Sequence, residues 1–282
     1  MRSGRAPVSK VATLDQAAEL VPDGSVLGIG GVMDQMVPVA FLLALAARGA
    51  TGLHCLTVAA GISIDLPLGA GIASEVSCAI VSHEDLGTSR LFRNRVERGI
   101  VTFHEYTELT MITRLNAAVS GVPFLPTRAA LGTGIAVGDP GALRMMECPF
   151  TGAPLLACAA LAPAVSVIHV ERADELGNAQ LPYKHVWHDA VIARAGQHVI
   201  VTAEEIVSSE AVRESPERTL LPSFAVDTVV HAPNGAWPTR FPGRYDADRE
   251  ALRAWVAESG DDDRIAEIIA SWTESRYETG TP

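Results

Sequence analysis

Two adjacent glycines have the types and positions that first suggest chemistry in this sequence. Gly30 and Gly31 lie in the run Asp23–Pro38, DGSVLGIGGVMDQMVP, where a predicted strand ends in glycines and a helix follows. A turn of this kind leaves backbone N–H groups open at the carboxyl end of a strand, where α/β sheets bind ligands. The spacing equally allows a tight strand-to-helix turn that binds nothing.

Glu105, in the run FHEYT, is a second candidate for a functional residue. It follows the predicted strand Ile100–Phe103, and a carboxylate at the carboxyl end of a strand is well placed to face a ligand cleft. A solvated carboxylate at a strand end is the alternative interpretation of this residue.

Motifs for bound cofactors and metals are incomplete. Gly28 and Gly30 fit the start of a dinucleotide-binding fingerprint, but Met33 stands where its third glycine belongs. His185 and His188 have the spacing of a shared helix face. Two ligands do not make a metal site, and a surface or capping pair is the simpler interpretation. We therefore predict neither a metal nor a bound cofactor.

The elements that would position these residues alternate between strand and helix along the chain, which is typical of a parallel sheet with helical crossovers. The predicted strands are Ser25–Ile29, His54–Val58, Val76–Val81, Ile100–Phe103, Val165–Val170, His198–Thr202 and Val226–Val230. The predicted helices are Val39–Arg48, Leu91–Arg98, Leu109–Val119, Arg249–Ser259 and Asp263–Thr273. We expect one α/β domain over residues 1–282: an open, mostly parallel sheet with helices on both faces, a long loop at Thr133–Thr151 and C-terminal helices.

The composition restricts the partners and the compartment. A net charge of −11 over 282 residues disfavours nucleic acid and anionic membrane surfaces. The four cysteines lie in apolar runs without a C-x-x-C pair, which favours free thiols in a reducing cytoplasm. No apolar segment follows the first ten residues, so we expect no secretory signal. The uncharged stretch Cys148–Val170 is interrupted by three prolines and is interpreted as strands and turns rather than a membrane span.

Several runs resemble family I coenzyme A transferases. Gly30, Gly31 and Pro38 match the family's glycine-rich signature, although Val32 replaces its phenylalanine and Met36 its later glycine. Further stretches are similar to the first of the two subunits of glutaconate coenzyme A-transferase and its relatives. They are Ser89–Thr107, Gly121–Ile135, Cys148–Gln180, Val199–Val207 and Val226–Asp248. The resemblance extends from Val11 to about Asp248.

The resemblance implies an enzyme in which a glutamate attacks an acyl-CoA thioester and then carries coenzyme A as a glutamyl thioester, so that coenzyme A is a substrate and not a cofactor. The family's glutamate lies in a Ser-Glu-Asn-Gly motif. Here Ser74-Glu75 is followed by valine and Ser209-Glu210 by alanine, so a second subunit must supply the nucleophile.

For this chain, the resemblance places the Gly30–Gly31 loop beside the reacting thioester, where N–H groups would stabilise developing negative charge. Arg128 is a candidate partner for a substrate carboxylate or a coenzyme A phosphate, because a guanidinium binds either group bidentately. A structural ion pair near the subunit interface is the alternative for Arg128.

Two other functions stay open. Related steroid-ring-opening hydrolases use a glutamate that matches Glu105, and transferase subunits are also acidic there, so hydrolysis or decarboxylation of an acyl-CoA is the first alternative. A sugar-phosphate-binding sensor or isomerase on a similar sheet is the second, because a fold does not fix a function.

Overall fold

A computed structural model describes residues 8–182 and 188–278. Within these ranges the strands are β1 (Val11–Ala12), β2 (Val26–Ile29), β3 (Leu53–Leu56), β4 (Ala59–Ala60), β5 (Ala73–Cys78), β6 (Ile80–Val81), β7 (Thr102–Glu105), β8 (Phe124–Thr127), β9 (Leu143–Glu147), β10 (Pro154–Ala159), β11 (Val165–Asp174), β12 (Ala179–Gln180), β13 (His198–Val207), β14 (Thr219–Leu221) and β15 (Thr228–His231). The α-helices are α1 (Leu14–Ala18), α2 (Val39–Arg48), α3 (Ile62–Gly69), α4 (Arg90–Glu97), α5 (Glu108–Val119), α6 (Ile135–Gly138), α7 (Asp189–Ala195), α8 (Ser209–Arg213), α9 (Arg249–Glu258) and α10 (Asp262–Glu278).

The main sheet has the strand order β1-β15-β13-β11-β2-β3-β5-β7, and every neighbouring pair along it is parallel. Two short strands, β12 and β14, extend it antiparallel beyond β11. The chain runs outward from β2 to β7, crosses back to β11 beside β2, and then runs outward on the other side. The predicted open, mostly parallel sheet is confirmed.

The reversal of strand order makes a switch point between β2 and β11. The connection after β2 runs through α2, whereas the connection after β11 runs through α7. α2 packs with α1, α3 and α10, while α7 packs with α5 and against β2 and β11, so the two connections cover opposite faces of the sheet. A crevice outside the carboxyl ends of the strands is expected at such a point.

Helix α2 shows why the local sequence folds as it does. Its apolar residues Phe41, Leu42 and Leu45 are fully buried against the sheet, and Gly49 ends the helix in the left-handed conformation with φ 75°. Glycine adopts that conformation without a Cβ penalty. The C-terminal helices close the same face through stacked Trp255 and Trp272 rings, whose centroids lie 5.2 Å apart.

One predicted element is corrected. The stretch Thr133–Thr151, predicted as a long loop, contains α6 and strand β9, and β9 pairs with β10 in a small antiparallel sheet ordered β8-β10-β9. Strand β9 could not be predicted from the sequence pattern. It is exposed at three of its five residues and shows little apolar periodicity.

The state of the cysteines and the character of the helices can be compared with the expectations from composition. All four cysteines are free thiols, with Cys55, Cys78 and Cys158 buried and Cys148 half-buried. Among the described residues, no helix combines the length and the apolar character needed to cross a bilayer.

Candidate active site

The glycine pair lies at the switch point, directly after β2. Gly30 donates its N–H to Val167 O at 2.8 Å, and Gly31 donates to Asp189 Oδ1 at 2.9 Å. The prediction of open N–H groups is therefore wrong for the chain by itself, because strand β11 and helix α7 satisfy both donors. The pair permits close packing of this turn against β11 and α7 and offers no free donor.

Close approach explains why both positions are glycine. A Cβ on Gly30 would lie 2.5 Å from Asp189 Oδ1 and 2.8 Å from a methyl group of Ile168. Gly31 has φ +87°, and a Cβ there would lie 2.8 Å from the carbonyl oxygen of Gln35. A side chain at either position would displace backbone or a buried carboxyl.

Asp189 is a candidate functional residue that the sequence analysis did not single out. Its carboxyl is buried at the N-terminus of α7, and burial raises its pKa, although the N–H of Gly31 opposes that shift. A buried carboxyl with a raised pKa beside a ligand crevice is typical of functional sites. Of the two predicted histidines nearby, His185 lies outside the described residues, and His188 is the N-terminal cap residue of α7.

The loop after Gly31 is held in an unusual conformation. Met33 and Met36 have φ of 50° and 53°, a left-handed region that non-glycine residues adopt at a cost of about 1–3 kcal/mol. The loop is fastened by backbone bonds from Met33 N–H to Ala59 O and from Met36 N–H to Arg240 O. The surrounding structure therefore fixes the shape of this loop.

A buried charged network anchors the same loop through Asp34. The Nδ1 of His83 lies 3.1 Å from both carboxylate oxygens of Asp34, and its Nε2 lies 2.8 Å from Asp65 Oδ2. Burial alone would lower the pKa of His83, but hydrogen bonds and charges from the two carboxylates raise it to about 10. Ser89 and Trp255 donate to Asp65 as well, which ties the loop to α3, α4 and α9.

A second buried network lies on the neighbouring strands β11 and β13. Glu204 accepts hydrogen bonds from His169 Nε2 at 2.7 Å, Tyr245 OH at 2.5 Å and Asn234 N–H at 2.7 Å. Burial would raise the pKa of Glu204, yet these donors outweigh it and lower the pKa. The glutamate is held ionised and has little capacity left for a ligand.

Glu105 lies in a different setting, at the end of the edge strand β7. Its side chain is exposed, and across residues 8–182 and 188–278 its carboxylate has no hydrogen-bond or ion-pair partner. Strands β3 and β5 separate β7 from β2, so three strand spacings place Glu105 about 14 Å from the glycine pair.

Arg128 follows β8 in the small antiparallel sheet and is exposed, without a hydrogen-bond or ion-pair partner among the described residues. The structure thus brings Asp189 to the glycine pair, and in the described chain neither Glu105 nor Arg128 is hydrogen-bonded to the pair. Both of these side chains keep some exposure to solvent, so a second molecule can reach them.

Comparison with protein families identifies the chain. The coenzyme A transferase family matches residues 11–232. The chain belongs to the coenzyme A transferase family. The family prediction made from Ser89–Thr107 and the other matching runs is confirmed, and with it the expected enzyme class.

Three relatives illustrate the range of the family. An uncharacterized protein of Archaeoglobus fulgidus is 32% identical over 256 residues, covering 90% of this chain but 57% of that protein, so the chain spans little more than half of its length. The first subunit of glutaconate CoA-transferase of Acidaminococcus fermentans is 30% identical over 88% of this chain and 82% of its own length. A cholesterol ring-cleaving hydrolase IpdA subunit of Mycobacterium tuberculosis is 28% identical over 88% and 87%.

Two solved structures share the fold over nearly the whole chain. Glutaconate coenzyme A-transferase from Acidaminococcus fermentans superposes with a TM-score of 0.88 at 29% identity, covering 94% of this chain and 89% of that one. A variant of the decarboxylase AibA/AibB superposes with a TM-score of 0.84 at 28% identity, covering 94% and 99%.

Proposed function

We propose that this chain is the first subunit of a cytoplasmic two-subunit enzyme that moves coenzyme A between an acyl-CoA and a carboxylic acid. The glutamyl-CoA intermediate forms on the partner subunit. The similarity to glutaconate coenzyme A-transferase over 94% of the chain carries the proposal. A cytoplasmic location agrees with the four free thiols.

The glutamates that follow a serine in this chain are poorly suited to nucleophilic attack. Glu75 lies in the middle of β5 and is bonded to His104 Nε2 at 2.8 Å. Glu210 lies in the first turn of the short helix α8 and pairs with Arg213 on the surface. Both glutamates lie away from the switch point, which supports a nucleophile supplied by the partner.

In this proposal the glycine pair lets the loop after β2 pack tightly beside the acyl-CoA thioester. Its N–H groups already have partners, so charge stabilisation at the thioester oxygen comes from other donors. Arg128 contacts a substrate carboxylate or a coenzyme A phosphate, because its guanidinium has no partner in the described chain and can bind either group bidentately.

The second subunit is proposed to cover the small antiparallel sheet. Large apolar side chains are exposed there, with Phe150 93% exposed at the turn between β9 and β10 and Met145 and Phe124 exposed on its strands. Val137 on the neighbouring α6 is exposed as well. Large exposed apolar side chains in one region are typical of a surface that another subunit covers.

The decisive experiment compares the chain made alone with the chain made together with its partner. We expect no coenzyme A transfer by the single chain and transfer by the complex. Borohydride reduction after incubation with acyl-CoA should modify a glutamate of the partner, since a glutamyl thioester is reducible. Transfer by the pure single chain, or a label on this chain, contradicts the proposal.

Hydrolysis or decarboxylation of an acyl-CoA is the second candidate, with Glu105 as the proton-transfer group. The observation that favours it is the exposed carboxylate of Glu105, without a partner in the described chain, at the carboxyl end of a sheet strand. A subunit of a ring-cleaving hydrolase, together with a decarboxylase, is found among the similar proteins, so related chains have other activities.

Glu105→Gln separates the two candidates in the assembled enzyme. A neutral amide cannot accept a proton, so a hydrolase or lyase should lose kcat by roughly 10²–10⁴-fold or more. A transferase should lose only part of its activity, through substrate orientation. Glu108→Gln, an exposed carboxylate three residues away, is the matched control and should leave kcat unchanged. An unchanged kcat in Glu105→Gln excludes both roles for this residue.

A further inference from the structure

A half-buried group of two histidines and a glutamate lies on one face of the main sheet, at the side formed by β3, β5 and β7. His54 belongs to β3, Glu75 to β5 and His104 to β7, three consecutive parallel strands. His54 pairs in register with Glu75, and Ser77 pairs with His104. Residues two apart on a strand point to the same side, so the register brings the three side chains together.

The ligand atoms of this group are close enough to share one ion. Glu75 Oε2 lies 2.8 Å from His104 Nε2 and 3.8 Å from His54 Nδ1, and one ligand atom from each residue falls within 4.8 Å of the others. Ligands about 2.0–2.1 Å from a tetrahedral zinc ion lie roughly 3.4 Å from one another. Modest side-chain rotation would bring the three atoms to that separation.

Of the two remaining ring nitrogens, one has a hydrogen-bond partner and the other faces a carboxylate. His54 Nε2 lies 2.8 Å from Ser77 Oγ, which leaves its Nδ1 directed toward Glu75. His104 Nδ1 lies 3.7 Å from Asp139 Oδ2, and Tyr106 OH fixes that carboxylate at 2.5 Å. Outer partners of this type orient imidazole ligands in metal sites.

We propose that His54, Glu75 and His104 bind a divalent transition-metal ion, with zinc as the ion that their two nitrogens and one carboxylate fit. This donor set is used by three-ligand zinc sites that keep a fourth position open. Glu75 and His104 are half-exposed, so an ion and a water molecule can reach that position. The ion would take the place of the hydrogen between Glu75 Oε2 and His104 Nε2.

Charge also favours a cation at this place. Glu75 and Asp139 carry two negative charges, which outweigh the single positive charge of Arg114 nearby. The guanidinium of Arg114 is fixed away from the ligand atoms, because its Nε donates to Ala159 O and its centre lies 4.8 Å above the Tyr106 ring.

The two other histidine networks lack these properties. His83 has both nitrogens engaged by buried carboxylates, and His169 meets one glutamate whose oxygens are occupied by Tyr245 and Asn234. Those groups are closed to solvent and hold one histidine each. The His54 group alone among these three combines two histidines, a carboxylate and an opening, and its residues are too far apart in sequence to form a motif.

The test is zinc binding by the purified complex after removal of metal with EDTA. Isothermal titration with zinc chloride should show one site per copy of this chain, and cobalt should give the visible absorption of a tetrahedral centre. Zinc should also raise the midpoint of thermal unfolding, because a ligand that binds only the native state stabilises it. The absence of a stoichiometric zinc site overturns the proposal.

Variants locate the ion. Glu75→Gln and His104→Gln should weaken zinc binding by more than about 100-fold, and Asp139→Asn by about 10- to 100-fold, the usual effect of an outer partner. His198→Asn is the control, because that half-buried histidine on β13 contacts Thr228 and lies outside the group. Circular dichroism checks that each variant is folded. Unchanged affinity in the folded Glu75→Gln and His104→Gln proteins, or an equal loss in His198→Asn, refutes the assignment.

Discussion

Two glutamates on strands of the same sheet occupy opposite environments. Glu204, on the central strand β13, is buried and accepts hydrogen bonds from His169, Tyr245 and the Asn234 N–H. Glu105, on the edge strand β7, is exposed and has no hydrogen-bond or ion-pair partner within the described chain. The carboxylate of Glu204 is occupied by structural hydrogen bonds, whereas the carboxylate of Glu105 is available to bind a substrate or a partner.

The difference shows that the position of a carboxylate on a strand of the sheet does not by itself identify a reactive group. Hydrogen-bond donors around Glu204 stabilise its charged form and lower its pKa, which suits a structural anion. An acid or base in catalysis needs a free oxygen within reach of the substrate. Glu105 has that freedom, and Glu204 does not.

The largest effect is expected from removing the central carboxylate. Glu204→Ala leaves His169, Tyr245 and the Asn234 N–H without their shared acceptor in a buried site, which should cost about 3–5 kcal/mol in the free energy of unfolding. The neighbouring Glu205→Ala removes an exposed carboxylate paired with Arg244 and should cost less than about 1 kcal/mol. Urea unfolding of both variants measures the contrast, and equal losses would contradict it.

His83 is the buried cation that contacts Asp34 in the loop after Gly31. Its raised pKa predicts that the protein loses stability at alkaline pH. The pKa of His83 is raised from 6.5 to about 10 on folding, so its stabilisation is complete below pH 6.5 and is lost as pH rises toward 10. The loss should be about 1 kcal/mol per pH unit, or roughly 2 kcal/mol between pH 7 and 9.

Urea unfolding as a function of pH measures that slope. His83→Gln cannot titrate in this range, and its stability should be lower but flatter than that of the wild type between pH 7 and 9. Identical slopes for the two proteins would show that His83 keeps an ordinary pKa in the folded state.

Gly31→Ala should destabilise the switch point by about 1–3 kcal/mol, because Gly31 has φ +87° and the added methyl group would meet the Gln35 carbonyl. Gly134→Ala is the control, since that glycine has φ −62° and open space around its Cβ position. The control should be neutral or slightly stabilising. Thermal unfolding distinguishes the two, and a neutral Gly31→Ala would show that the loop yields easily.

The smallest effect is expected at the outer carboxylate. Glu105→Gln should change the free energy of unfolding by less than about 0.5 kcal/mol, as is usual for surface substitutions. Its effect on kcat then reports chemistry and not folding. A loss of stability comparable to that of Glu204→Ala would remove the distinction between the two glutamates.

The sequence predicted the elements that follow strong local rules. Helix Val39–Arg48 has the bounds predicted from its leucines, alanines and terminal Gly49. Helix α3 was not predicted, because it is short and contains Pro67, which usually ends a helix. The small sheet β8-β10-β9 was also missed apart from its middle strand, since antiparallel pairing of exposed strands leaves a weak pattern.

The site was predictable only where a residue ends a strand. Gly30, Gly31 and Glu105 were found by that rule, and their roles stay predictions. The contact between Asp34 and His83 joins residues 49 positions apart, and the contact between His83 and Asp65 joins residues 18 positions apart. No local sequence pattern predicts such pairs. Asp189 escaped notice for the same reason, since its contact to Gly31 spans 158 positions.

The contacts of His83 also constrain how this family member can change by mutation. A neutral residue at position 83 leaves Asp34 and Asp65 as uncompensated buried anions, while loss of either aspartate leaves the cation with half its partners. Single replacements are therefore unfavourable at all three positions, and a simultaneous exchange for apolar residues is the tolerated route. Asp34, Asp65 and His83 should be inherited or lost together, and the shape of the glycine loop should be inherited with them.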